Sequence, residues 1–268
     1  MRAVVQGALA LAMVAMAVAG GTAAIDNAAV SLPMASAIES IAPTRGGVVG
    51  VAHPVVVTFK APISDRPAVE RAMTIKSTPA RAGRFEWLES NVVQWVPDQY
   101  WPAHSTVSLS VGGKLAQFQT GPKVVGVADI SDHTFTVSID GVGEDPPIPL
   151  PAPHHLPRLG EDGVLLASMG RPEYATPVGS YTVLEKNRTV TMDSSSVGIP
   201  VAADDGYRLE VDYAVRITRR GIYVHSAPWA VPSMGLENVS HGCISLIPAA
   251  AEWYFNTVNI GDPVIVQE

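Results

Sequence analysis

The chain contains one cysteine, Cys243, set in the segment Ser240-His241-Gly242-Cys243-Ile244-Ser245. An isolated thiol is a poor nucleophile at neutral pH, because with an ordinary pKa of about 8.5 only a few per cent is thiolate. Acyl chemistry on sulfur therefore needs an imidazole to take the proton and backbone N–H groups to meet the oxyanion. His225 stands eighteen positions upstream, after the apolar run Gly221-Ile222-Tyr223-Val224. A strand ending there would deliver the His225 side chain to a cleft. Gly242 permits a sharp turn and close substrate approach just before the thiol. Cys243 is thus the expected nucleophile and His225 its expected base. The alternative is a buried free cysteine acting as a small hydrophobe, which is common; the residues around Cys243 weigh against it.

The elements that must position these residues read mostly as strands. Thr134–Ile139 alternates apolar and polar, and residues 163–169, 180–184, 214–218 and 221–224 are further strand candidates, with 263–266 closing the chain. One helix is expected over about 248–258. Pro248 suits its first position, and Ala250, Trp253, Tyr254 and Val258 fall on one face. Ile247 stands where a capping Ser or Thr is common, so this helix should lack a side-chain cap. Upstream, Val55–Phe59, residues 92–96 and Thr106–Val111 read as short strands, with a helical turn within 65–72. This spacing suggests an immunoglobulin-like sandwich over 41–122, preceded by a linker at 25–40 and followed by a β-rich domain over 123–268. The expected fold class is mainly β with a late helix, not a doubly wound α/β sheet.

His53 and His104 stand alone and read as turn or surface residues rather than ligands. The proline-rich stretch 142–163 carries His154-His155 and reads as an extended surface loop. With no carboxylate or cysteine set beside that pair, no metal site is expected.

Composition narrows the function classes. Hydrophobic residues make up 47% of 268 and charged ones 16%, enough to bury a core. The net charge is −7, and −8 without Arg2, because 17 basic residues then face 25 acidic ones. That balance opposes nucleic acid as a partner, and no Gly-rich phosphate loop followed by Lys-Ser/Thr is present. Met1-Arg2, the apolar run from Ala3 to Gly21 and then Thr22-Ala23-Ala24 describe an export signal, residues 1–24, with cleavage near Ala24. Retention of the run as a membrane anchor is the alternative. The expected location is the periplasm or cell wall, with membrane contact only if the leader is kept.

The run His225-Ser226-Ala227-Pro228-Trp229 through Ser240-His241-Gly242-Cys243 resembles the L,D-transpeptidase catalytic domain of the mycobacterial type. Thr176-Pro177-Val178-Gly179, Met192-Asp193-Ser194, Asp205-Gly206-Tyr207 and Gly261-Asp262-Pro263 match in the same order. The resemblance implies an acyltransferase acting on peptidoglycan stem peptides, one as donor and one as acceptor. A Cys thioester would form with release of D-Ala, and a 3→3 cross-link would follow. It implies no cofactor and no metal, and carbapenems as acylating inhibitors. Carried onto this chain, Cys243 is the nucleophile, His225 the base and the Ser226 carbonyl its orienter. His241, Gly242 and Cys243 would shape the oxyanion site through backbone N–H groups, with Ser240 fixing the loop; His241 serving only to hold the loop is the alternative. Tyr207, Met192 and Trp229 match positions lining the substrate cleft, although plain core packing would equally explain such residues. Ser245 stands where the family carries Asn, so a contact to substrate or loop is expected to be weaker. Competing readings are an L,D-carboxypeptidase, with water as acceptor, and a non-catalytic wall-binding protein. A Cys/His endopeptidase fits less well, because that family places its Cys before its His.

Overall fold

A computed structural model of the chain describes residues 34–143 and 163–268. The leader and the His154-His155 stretch lie outside the described residues, as does most of the expected 25–40 linker. Within that linker the described part is already structured. A short helix, Met34–Ala37, runs into the strand Ile38–Ala42. The strand starts early because Ile38 is buried and pairs with Phe59.

The first half folds as two four-stranded sheets packed face to face. One orders Ile38–Ala42, Val55–Phe59, Val92–Pro97 and Gly83–Trp87, all antiparallel. The other orders Val48–Val49, Lys114–Thr120, Thr106–Val111 and Met73–Lys76. Strict alternation does the work: in Val55–Phe59 every second side chain is buried, and in Thr106–Val111 Val107, Leu109 and Val111 are. Period-2 patterning puts these on one face, where they meet the other sheet. Trp95 stacks on Trp101 at 5.2 Å, and Trp101 meets Phe118 edge-on at 6.0 Å. Asp65 caps the helix Arg66–Arg71 by accepting the Ala68 N–H at 3.0 Å.

The second half is built on one mixed, ten-stranded sheet. Its path runs Gly179–Thr182, Pro263–Gln267, Val124–Asp129, Thr134–Ile139, Val164–Ser168, Ile244–Leu246, Tyr223–Ser226, Arg208–Arg216 and Glu185–Asp193, with Val142–Gly143 paired to Thr134–Ile139. All five positions of Val164–Ser168 are buried, as a central strand covered on both faces requires. The helix Pro248–Thr257 packs on this sheet through Ala250, Ala251 and Tyr254, and Tyr254 meets Phe135 edge-on at 4.9 Å. Such an aromatic pair contributes about 0.5–1.5 kcal/mol beyond its area. Ile247 provides no side-chain cap.

One pairing positions the chemistry. Tyr223–Ser226 and Ile244–Leu246 are neighbours and parallel, with His225 opposite Ser245. Parallel neighbours cannot be joined by a tight hairpin and need a long crossover. Here the crossover is 227–243, and it carries the 3₁₀ helix Pro228–Ser233 and the Ser-His-Gly-Cys turn. His225 thus lies within its strand, not just beyond it. Paired residues share a face and alternate residues along a strand return to it, so His225, Ser245 and Cys243 all project to the same side.

The two halves are joined by backbone. Gly50 N–H donates to the Ile260 carbonyl and Ala52 N–H to the Gly261 carbonyl, both at 2.8 Å. Between them Val51 N–H donates to Asp262 Oδ1 at 3.2 Å. His53 packs against Gly261, which has no room for a Cβ and a φ of +92°. His104 is exposed and bonds Asp140 at 2.7 Å. Among the described residues no helix is long and apolar enough to cross a membrane, and no group of three or more His, Cys, Asp or Glu side chains is placed to hold a metal ion.

Candidate active site

His225, Trp229, Ser240, His241, Cys243, Ser245, Met192 and Tyr207 all line one cavity of about 230 Å³, with Leu209, Val211 and Val239 supplying an apolar wall. Sequence alone spread these residues over more than fifty positions. The hairpin Glu185–Asp193 and Arg208–Arg216 brings Met192 and Tyr207 over the sheet edge, and the crossover brings the rest.

His225 is 4% exposed. Its Nδ1 lies 2.8 Å from the Ser226 carbonyl oxygen. A carbonyl can only accept, so Nδ1 carries the hydrogen and Nε2 keeps its lone pair. Burial pulls the imidazole below its ordinary pKa, partly offset by the Ser226 bond. Trp229, 55% exposed, leans over the ring at 6.2 Å and 31°, so it covers the imidazole and does not belong to the core. Cys243 is partly exposed to the cavity. Burial of its sulfur pushes the thiol up to about 11, against a smaller opposing effect from the Tyr223 backbone N–H. The thiol points at the Gly221 carbonyl at 3.8 Å. Burial therefore disfavours the charged form of each group, which suits a proton transfer made during attack rather than a standing ion pair.

The turn before the thiol is held from inside. Ser240 Oγ donates to the Cys243 carbonyl at 2.7 Å and accepts the Gly242 N–H at 3.0 Å. Gly242 has φ +111°, a region that favours glycine. Its N–H, expected at the oxyanion site, is thus already taken by Ser240. The Gly242 carbonyl accepts from Thr176 Oγ1 at 3.0 Å, and Thr176 in turn accepts the Gly170 N–H at 2.9 Å. Gly170 can lie this close because a Cβ there would collide with the Tyr174 carbonyl and sit 2.9 Å from Gly242 Cα. Thr176 had appeared only as part of a short motif match. Its bridging role needs a contact between residues 66 positions apart, which no local pattern carries.

His241 has a different part from His225. Its ring sits between Tyr174 at 4.8 Å and Tyr207 at 4.9 Å. Its Nε2 lies 3.2 Å from Arg171 Nη2. A guanidinium only donates, so that lone pair is occupied and unavailable for shuttling protons. Burial and the Arg171 charge both lower its pKa. Arg171 is fixed by Asp205 at 2.6 Å. The loop-holding alternative for the His241 side chain is the one the geometry favours. Met192 and Tyr207 are half-buried and face the cavity, so neither is a plain core residue. Burial and the neighbouring Cys243 raise the Tyr207 phenol. Ser245, 2% exposed, lines the cavity beside His225.

A family profile described as the L,D-transpeptidase catalytic domain matches residues 151–266, and one described as a bacterial Ig domain matches residues 13–115. "Probable L,D-transpeptidase 3" of Mycobacterium tuberculosis is 68% identical over 271 residues, covering 100% of both chains. A crystal structure of L,D-transpeptidase 3 from the same organism in complex with a faropenem-derived adduct superposes with a TM-score of 0.78 at 71% identity, over 87% of this chain and 98% of that one. The structure of LD transpeptidase LdtMt1 in complex with imipenem gives 0.75 at 49% identity, over 86% and 98%.

Proposed function

This chain belongs to the L,D-transpeptidase family, and from that membership we propose that it joins peptidoglycan stem peptides by 3→3 cross-links through a Cys243 thioester. The observation that carries the reading is the meeting of His225 and Cys243 in one cavity, with the imidazole tautomer set by Ser226. Cys243 Sγ attacks the carbonyl carbon of the donor's third residue as its proton passes to His225 Nε2. Collapse of the tetrahedral species breaks the amide bond, and His225 returns the proton to the leaving amine of D-Ala. The side-chain amine of a second stem then attacks the thioester carbon and gives a proton to His225. The C–S bond breaks and the thiol is re-formed. The oxyanion is met by the N–H groups of Cys243 and His241, since that of Gly242 is engaged. Carbapenems acylate the same sulfur, a reading supported by the faropenem-derived adduct and the imipenem complex in relatives. The leader sequence supports export to the periplasm or cell wall, where these substrates are.

The test is product analysis by mass spectrometry on a stem tetrapeptide. A dimer lacking one D-Ala is expected, and Cys243→Ala should make neither dimer nor free D-Ala. Tripeptide alone would replace transfer by hydrolysis. D-Ala release by the Cys243→Ala protein would refute the thioester.

A further inference from the structure

Arg171 grips the thiol turn twice. Its backbone N–H donates to the Ser240 carbonyl at 3.0 Å, and the Ser240 N–H donates to the Met169 carbonyl at 2.9 Å, so Gly170 and Ser240 form a parallel bridge. Its guanidinium reaches past that bridge to His241 Nε2 at 3.2 Å. Both contacts act on one peptide unit. The Ser240 carbonyl and the His241 N–H belong to the same planar trans peptide and point in opposite directions. The carbonyl is tied to Arg171, whereas the N–H has no acceptor among the described residues. Holding the imidazole fixes the His241 Cα, the far end of that peptide, which the bond to Ser240 alone would leave free to swing.

The guanidinium is itself held before any substrate arrives. It donates to Asp205 Oδ1 at 2.6 Å, lies over the Tyr174 ring at 4.7 Å and has Glu173 3.7 Å from its Nε. Its side chain is only 25% exposed. Asp205 is presented by a compact turn: the Gly206 N–H donates to the Ala203 carbonyl at 2.8 Å, and a Cβ on Gly206 would collide with the Pro200 and Val201 carbonyls. The next residue, Tyr207, packs on the other side of the His241 ring from Tyr174. One arginine thus ties the turn bearing Cys243 to the loop bearing Tyr207.

We propose that Arg171 is a positioning residue for acyl transfer: locked by Asp205, it holds the His241 ring and so aims the His241 N–H at the oxyanion formed when Cys243 attacks. Arg171 does not line the cavity containing His225 and Cys243, so it acts through His241 and not by touching substrate. Its planar fork suits the task, because one guanidinium can serve the Asp205 carboxylate and the imidazole lone pair together. An oxyanion donor is useful only when it is set before the charge develops, and a doubly anchored peptide meets that need.

This inference rests on acyl transfer at Cys243, and the experiment separates it from the stem-peptide reading. Three reactions of the same sulfur are compared: D-Ala release from a stem tetrapeptide, acetylation by p-nitrophenyl acetate and alkylation by iodoacetamide. The first two pass through a tetrahedral oxyanion, and the third is a displacement at carbon that forms none. Arg171→Gln should lose about tenfold in the first, through kcat rather than KM, and about tenfold in the second, with alkylation unchanged. That is a fraction of the roughly 10²- to 10³-fold cost of removing a whole oxyanion donor, because the backbone bond to Ser240 survives. Arg171→Lys, which keeps a charge and a donor, should recover part of the loss. In a His241→Phe background, which keeps a ring without the nitrogen, Arg171→Gln should cost nothing more. An equal fall in alkylation, no fall in acetylation, or a full further loss in the His241→Phe background overturns the assignment. If the wild-type protein is acetylated but releases no D-Ala, the stem-peptide reading falls and the acetylation arm still decides this inference.

Discussion

Iodoacetamide alkylates only the thiolate, so its rate on Cys243 reports how far the protein holds that thiol from ionising. Burial places the thiol at about 11, which leaves roughly one molecule in ten thousand ionised at pH 7, against about 3% for an ordinary thiol of pKa 8.5. That is about 300-fold less thiolate. A more basic sulfur is a better nucleophile, and a Brønsted coefficient of about 0.4–0.5 returns roughly tenfold. Net alkylation should therefore run about 20- to 30-fold slower than for a free thiol at pH 7. The rate should climb about tenfold per pH unit to near pH 10, where a free thiol has long flattened. His225→Asn should keep this profile, because a neutral imidazole adds no charge beside the sulfur. The same variant should lose about 10²- to 10⁴-fold in D-Ala release, the usual contribution of a general base. Intact-protein mass spectrometry across pH 6–10 measures both profiles. A plateau below pH 8 that His225→Asn abolishes would mean a standing thiolate–imidazolium pair and would refute the neutral resting state.

Two further outcomes follow from buried polar residues. Ser245→Asn places an amide in the cavity beside His225 and should raise kcat/KM on a stem tetrapeptide about two- to tenfold, one hydrogen bond's worth. Unchanged turnover would show that Ser245 costs the site nothing. Burial also pushes the Asp262 carboxyl up to about 6, despite the Asn259 and Val51 N–H groups it accepts. A raised folded pKa means the folded state holds the proton more tightly, so this stabilisation is full below about pH 4 and is lost as pH rises through about 6. The loss is about 3 kcal/mol for two units of pKa. Urea midpoints at pH 4, 5, 6 and 7 should fall for the wild type and stay nearly level for Asp262→Asn. Parallel slopes in the two proteins would place the titration elsewhere.

The β-branched run Val55–Phe59 and the alternating runs Thr106–Val111 and Thr134–Ile139 were legible from sequence to the residue. So was the helix at 248–257, announced by its proline and apolar stripe. Of the long hairpin, Glu185–Asp193 was not read as a strand at all, and only residues 214–216 of Arg208–Arg216 were. Its strands are mostly half-exposed, and their stability comes from pairing with each other rather than from a periodic core face.

Chemistry divides along the same line. The sequence by itself singled out Cys243 and His225 as the pair to expect, because a lone Cys after Ser-His-Gly and a His at the end of an apolar strand are local facts about residue type and spacing. It also pointed to Ser240 as the residue holding the turn. Only the tertiary structure decided what each group can do there. Parallel pairing across a seventeen-residue crossover brings His225 and Cys243 to one face. Arg171 occupies the lone pair of His241, and Thr176 ties the Gly242 carbonyl to a distant strand end. The protonation of Cys243 is likewise a property of its surroundings. Ionisation in a low-dielectric site depends on which atoms enclose the sulfur, and those atoms come from segments that only the fold brings together.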